Sequence, residues 1–259
     1  MKYEISGTLL QTVTIDLAAN ESIYSQTSMM AWMNAAMTMN THTGGGFFAG
    51  LRRSMSGGSF FVTEFISAGN GQITFAPKFP GKILARTLAP GESLICRKET
   101  FLCAEKSVTF DIAFQQGFGA GLFGGEGFIL QKITGPGTVW LDLSGEVVEK
   151  DLQPGEQLFV HAGHVGVQTS TVSFNIRMIS GFKNIIFGGD GLFLAELTGP
   201  GKVWLQSMPI LNLAEEISRY LPSNTTANAS LGGVAGNVLG GPTGSIVGGI
   251  LGGIFGNND

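Results

Sequence analysis

Along most of its length the chain alternates short apolar runs with small or polar punctuation. Runs such as Thr138-Val139-Trp140-Leu141 and Ser107-Val108-Thr109-Phe110 are β-branched or aromatic and end at Pro-Gly or Gly-Gly steps, the mark of short strands joined by tight turns. In TGPG the proline presets one turn dihedral and the glycine accepts a positive φ; the PGE steps do the same ahead of the next strand. The opening MKYEISGTLLQTVTIDL also alternates and lacks the continuous apolar run of a secretory signal. Helical spacing enters only after Pro209, in ILNLAEEISRYL, where Ile210, Leu213, Ala214, Ile217 and Leu221 share a face. Asn212, with Glu215 three residues on, is the N-cap candidate, and Pro222 ends the segment.

The strand pattern repeats. GGEGFILQKITGPGTVWLD at 124–142 returns as GGDGLFLAELTGPGKVWLQ at 188–206, so Trp140 and Trp204 lie 64 residues apart, as do Gly91 of APGESL and Gly155 of QPGEQL. An earlier and more divergent copy, GGSFFVTEFISAGNGQITFAP at 57–77, places Phe75 where the tryptophans stand and Ser59 where the others carry Glu126 and Asp190. The body at 1–209 therefore divides into units of about 1–80, 81–145 and 146–209. A unit of roughly 64 residues buries too little to stand alone, so the three are expected to share a core or pack around a pseudo-threefold axis. The predicted fold class is all-β, with a closing helix at 210–221, a small polar linker at 222–230 and a glycine-rich tail at 231–259.

That tail changes the picture that composition gives. The chain has 40 glycines among 259 residues, 43% apolar and 13% charged residues, and a net charge of -4, the reverse of ordinary disorder. From Pro222 to Asn258 no residue is charged, and from Gly232 every fourth residue is glycine: Gly236, Gly240, Gly244, Gly248, Gly252 and Gly256. Ile246, Ile250 and Ile254 continue a column begun by Val234 and Val238, next to a second apolar column ending in Leu251 and Phe255. Period two does not sort these residues; an α-helix does, giving a glycine groove beside an apolar ridge. In water each interior glycine costs about 1 kcal/mol and Pro242 about 3. In a bilayer small-xxx-small grooves let helices approach closely. The tail reads as a glycine zipper that self-associates at, or inserts in, a membrane.

Candidate chemistry is sparse. His161 and His164 of HAGH are the candidate metal ligands, but His42 is the only other histidine, and three-residue spacing on a strand sends two side chains to opposite faces. No metal or cofactor is expected. Cys96 and Cys103 form neither a zinc pattern nor a disulfide framework. Glu92 and Glu156 follow Pro-Gly, and Glu126 and Asp190 follow Gly-Gly. Recurrence at equivalent repeat positions points to turn bonds and away from an asymmetric acid–base pair. GFGAGLFGG lacks the lysine of a phosphate-binding loop. With Phe118, Leu122 and Phe123, and with Phe47 and Phe48 in the first unit, such loops offer apolar surface for a subunit or lipid contact. Fifteen Lys and Arg, adjacent only at Arg52-Arg53 and Arg97-Lys98, leave no nucleic-acid partner expected.

The repeated GGE and TGPG turns, LRRSMSGGSFF ahead of the first copy and the helix before RYLP resemble the AIM24-type family, the altered-inheritance-of-mitochondria group and its bacterial relatives. The resemblance covers about residues 1–221. It implies a body similar to the tryptophan RNA-binding attenuation protein, a double-stranded β-helix or β-sandwich arrangement, and, for the mitochondrial members, a link to inner-membrane organisation. The chain is thus expected to be a non-enzymatic, homo-oligomeric scaffold, cytoplasmic and membrane-associated, with itself and a membrane lipid or membrane protein as partners. The alternative is a soluble small-ligand-binding or regulatory protein with a disordered tail.

Overall fold

The computed structural model describes residues 1–41, 62–116, 128–179, 192–218 and 220. The first unit supplies β1 (Lys2–Ser6), β2 (Thr12–Leu17), β3 (Ser22–Gln26), β4 (Met30–Met33), β5 (Met37–Thr41), β6 (Val62–Ser67) and β7 (Gly71–Phe75). The second supplies β8 (Gly81–Leu88), β9 (Ser93–Arg97), β10 (Phe101–Glu105), β11 (Thr109–Gln116), β12 (Phe128–Thr134) and β13 (Gly137–Ser144). The third repeats that order with β14 (Val147–Leu152), β15 (Gln157–His161), β16 (Val165–Thr169), β17 (Ser173–Ile179), β18 (Leu192–Thr198) and β19 (Gly201–Gln206). The single described α-helix, α1 (Ile210–Ser218), follows. It starts directly after Pro209, so Asn212 lies inside its first turn and does not cap it, contrary to the expectation from spacing. Proline at that boundary presets the backbone and needs no partner for a missing N–H.

Each unit is two half-sheets facing each other. With β1 set aside as an extra strand at the edge of the first unit, one half holds the first, last and third strands of the unit, as in β8, β13 and β10; the other holds the fourth, fifth and second, as in β11, β12 and β9. The second half of one unit joins the first half of the next, edge to edge. The sheets therefore run β1-β2-β7-β4, then β5-β6-β3-β10-β13-β8, then β11-β12-β9-β16-β19-β14, then β15-β18-β17. Pairing within them is antiparallel.

Three apolar cores lie between successive sheets. Val13, Ile15, Ile73 and Phe75 of the first sheet pack on Ile23, Phe65 and Trp140 of the second. Leu141, Leu143 and Val139 on the opposite face of β13 pack on Leu94, Phe110 and Ile133 of the third sheet. Phe128, Leu130 and Val203 pack on Val160, Ile176 and Leu197 of the fourth. A strand buried on both faces reads as a nearly continuous apolar run, which is why GTVWLDLS carries a polar side chain at only a few positions while the outer β1 alternates.

The register corrects one expectation. Thr74, three residues after Gly71, occupies the position of Trp140 and Trp204, which stand three residues after Gly137 and Gly201. Phe75 matches Leu141 and Leu205 instead. The AGNG turn occupies the same length as TGPG, so matching one large aromatic to another slips the frame by a residue.

Candidate functional site

The repeated acids are turn caps. Glu92 Oε2 accepts the Ala89 N–H at 2.9 Å and Glu156 Oε2 accepts the Gln153 N–H at 2.8 Å. Glu21 Oε2 does the same for Ala18 at 2.7 Å in the first unit, where sequence reading missed it. LAANES, LAPGES and LQPGEQ are one turn: Asn20, Gly91 and Gly155 hold φ of 67°, 80° and 79°. Asparagine tolerates the left-handed region where most residues with a Cβ do not, and this substitution hid the first copy. Glu126 and Asp190 lie outside the described residues.

His161 and His164 depart from the strand expectation. His161 ends β15, but residues 162–164 form a 3-10 turn instead of continuing it. The turn brings the rings together, with centroids 5.7 Å apart and planes at 72°. His164 Nδ1 lies 2.8 Å from the Gln206 carbonyl oxygen. Burial first, then the charges of His164 and Arg97, hold the His161 imidazole below the ordinary histidine range and favour its neutral form. Arg97 is in turn tied to Glu99 at 3.2 Å and donates to the Gly163 carbonyl at 3.4 Å. Among the described residues no three His, Cys, Asp or Glu side chains are grouped to hold a metal ion. His42 is not among those residues.

Both thiols are buried. Burial raises Cys96 to about 12, against a smaller lowering by the Thr100 hydroxyl, and raises Cys103 well above the thiol range. Neither is a thiolate at neutral pH, so neither sulfur is in its nucleophilic form. A third buried group was not visible in the sequence. Asp142, two residues beyond Trp140 on the same face of β13, is pushed up to about 7 by burial, with Lys78 pulling weakly the other way. Asp142 Oδ1 and Trp140 Nε1 find no hydrogen-bond partner among the described residues. A surface concavity of about 630 Å3 is lined by Lys2, Asp16, Glu21, Asn34 and Gln72 within the first unit.

The aromatic loop positions Phe47, Phe48, Phe118, Leu122 and Phe123 lie outside the described residues, as do the tail glycines from Gly232 to Gly256 and Ile246, Ile250 and Ile254. No helix among the described residues is long and apolar enough to cross a membrane.

The three-unit body with its capped turns can now be set against known proteins. A family model described as mitochondrial biogenesis AIM24 matches residues 3–208. The chain belongs to the AIM24 family. The match spans the three-unit body and stops before α1, so the tail lies beyond what defines the family. An uncharacterised protein of Streptococcus pyogenes serotype M6 is 30% identical over 221 residues, 82% of this chain and 88% of that protein. The crystal structure of another Streptococcus pyogenes protein superposes with a TM-score of 0.69 at 28% identity, covering 85% of this chain and 99% of that one. The all-β architecture of this AIM24-family chain is therefore shared with a solved relative.

Proposed function

We propose that the protein is a non-enzymatic scaffold that self-associates through its β body and meets a membrane through its tail. The observation that carries the reading is how the chain's polar chemistry is used. Glu21, Glu92 and Glu156 each cap a repeat turn, the thiols are buried and protonated, and the two histidine rings meet edge to face with His164 bonded to a backbone carbonyl. Side chains committed to backbone bonds in every repeat serve architecture. The tail supports the second half of the reading by its pattern: glycine at every fourth position beside branched and aromatic columns, with no charge before Asp259. Such a surface suits close helix packing in or on lipid and is costly in water.

The test compares the full chain with a chain ending at residue 221 in co-sedimentation with anionic phospholipid vesicles. The full chain is expected in the vesicle pellet and the shorter one in the supernatant. Equal partition of the two removes the membrane role of the tail.

A further inference from the structure

Two of the edge-to-edge junctions that this architecture can make are formed within the chain. In the first, β10 pairs with β3, with Cys103 opposite Ser25 and Ala104 opposite Tyr24. In the second, β16 pairs with β9, with Val167 opposite Cys96 and Gln168 opposite Ile95. The repeat arithmetic leaves two matching half-junctions at the ends: β4 of the first unit and β15 of the third, each an edge strand of its sheet.

The β4 edge is already shaped for the role. Its pairing to β7 shifts register between Met30 and Trp32, as β10 shifts on β13 between Phe101 and Cys103, and β16 on β19 between Val165 and Val167. The bulge is thus present on an edge that no partner strand covers among the described residues. Residues at the equivalent positions report the difference directly. Cys103 and Val167 are both 0% exposed, but Trp32 at their position is 58% exposed. On the other edge, Tyr24 is 1% exposed and its counterpart Phe159 is 53% exposed.

The side chains supply a second, independent argument. Trp140 reaches from the second unit into the core of the first, and Trp204 from the third unit into the core of the second. Each stands opposite a smaller residue, Cys103 or Val167, on the next strand. In the first unit the pair is exchanged: Thr74 takes the tryptophan's place and Trp32 stands opposite it. Opposite residues of an antiparallel pair project from the same face. The indole that plugs a preceding core is therefore present in the first unit as well, on the neighbouring strand, although no preceding unit is among the described residues for it to enter.

We infer that β15 of one copy pairs antiparallel with β4 of a second copy, the exposed Trp32 entering the core of that neighbour's third unit. The two formed junctions set the register: Trp32 opposite Val160, Met33 opposite Phe159 and Asn34 opposite Leu158. The contact joins two different edges, so it is heterologous and adds copies head to tail. It also covers two edges that would otherwise invite unregulated strand addition. The inference gives the self-association of the proposed scaffold its surface and is independent of the membrane role.

The experiment uses two separately tagged full-length chains, one carrying Asn34→Cys and the other Leu158→Cys, bridged with a short bismaleimide. A covalent dimer holding both tags is expected, and Trp32→Glu or Phe159→Glu should lower its yield at least tenfold. Both of those side chains are exposed, so circular dichroism of these variants should match the parent. Absence of the mixed dimer overturns the inference, as does a mixed dimer whose yield Trp32→Glu leaves undiminished. Vesicle co-sedimentation of Trp32→Glu is expected to equal that of the parent, which separates loss of this contact from failure of the tail reading.

Discussion

The neighbourhoods of Trp140 and Trp204 are copies of one another, and they differ in nearly everything except shape. Both tryptophans project from the last strand of a unit into the core of the unit before it. Trp140 is met by the edge of Tyr3, with ring centroids 5.3 Å apart and planes at 86°, and Nε1 has no hydrogen-bond partner among the described residues. Trp204 has the Arg86 guanidinium 4.7 Å above its ring, and its Nε1 donates to Glu149 Oε2 at 2.8 Å. Two residues on, Asp142 of the second unit corresponds to Gln206 of the third. Gln206 donates to the Gly163 carbonyl at 2.9 Å and accepts the Ser144 N–H at 3.1 Å, whereas Asp142 leaves Oδ1 without a partner among the described residues. The difference lies on the strand beside each tryptophan. Trp204 stands opposite Glu149 on β14, whose residues are mostly exposed so that charge there can be hydrated, whereas Trp140 stands opposite Ala85 on the more buried β8.

Truncation and conservative replacement separate the two environments. Alanine at either tryptophan should cost about 3–5 kcal/mol, the range for removing a large buried aromatic. Phenylalanine should split them. At 140 it removes an N–H without a partner, which is close to neutral, so Trp140→Phe should cost under about 1 kcal/mol. At 204 it also breaks a hydrogen bond to a carboxylate, and Trp204→Phe should cost about 1 kcal/mol more. Urea denaturation of the four variants measures this. Equal losses for the two phenylalanine variants would mean that enclosure and hydration make no difference here.

Asp142 sharpens the comparison through pH. Its folded pKa, about 7, lies above the ordinary aspartate value of 3.8, so the folded protein holds its proton more tightly. The associated stability is fully present below the unfolded pKa and is lost as pH rises through about 7. About three pKa units correspond to a total on the order of 4 kcal/mol. Asp142→Asn, which cannot titrate, should flatten the fall in melting temperature between pH 4 and pH 8. Parallel curves for parent and variant in scanning calorimetry would remove Asp142 as the source of the dependence.

The smallest effect belongs to Glu149. Lys202, then the Trp204 indole, hold its carboxyl below the ordinary glutamate range, with Arg86 a smaller contributor. A depressed carboxylate contributes stability that is present above its unfolded pKa and lost as pH falls through the folded one, so the window lies in acid. The group is 41% exposed and screened by water. Glu149→Gln keeps an acceptor for the indole and should cost less than about 1 kcal/mol at neutral pH, with the loss shrinking in high salt. A larger, salt-independent loss in equilibrium denaturation would place Glu149 in the core energetics.

Much of this was legible in the residues because strands and turns carry local signatures. The copies at 124–142 and 188–206, the turn glycines Gly91 and Gly155, and the role of Glu92 and Glu156 as turn bonds follow from spacing and backbone preference. The first unit was harder, since Asn20 replaces a turn glycine and the large residue of the Trp–small pair moves to the adjacent strand. His161 and His164 were misplaced because a strand was extended through a 3-10 turn, and a short turn of that kind has no strong composition of its own. Asp142 gave no signal, because its burial depends on both neighbouring sheets.

Local order alone therefore determined the fold class, the threefold repetition and the membership of acids in turns, because each depends on contacts a few residues apart or on direct comparison of copies. Which half-sheet joins which was decided only by tertiary structure, since an edge strand and an interior strand can share one local pattern. Trp32 and Phe159 read in the sequence as ordinary strand residues. Their exposure becomes informative only when the equivalent positions are seen buried at the junctions that the chain completes, because burial belongs to the packed sheet and not to the residue.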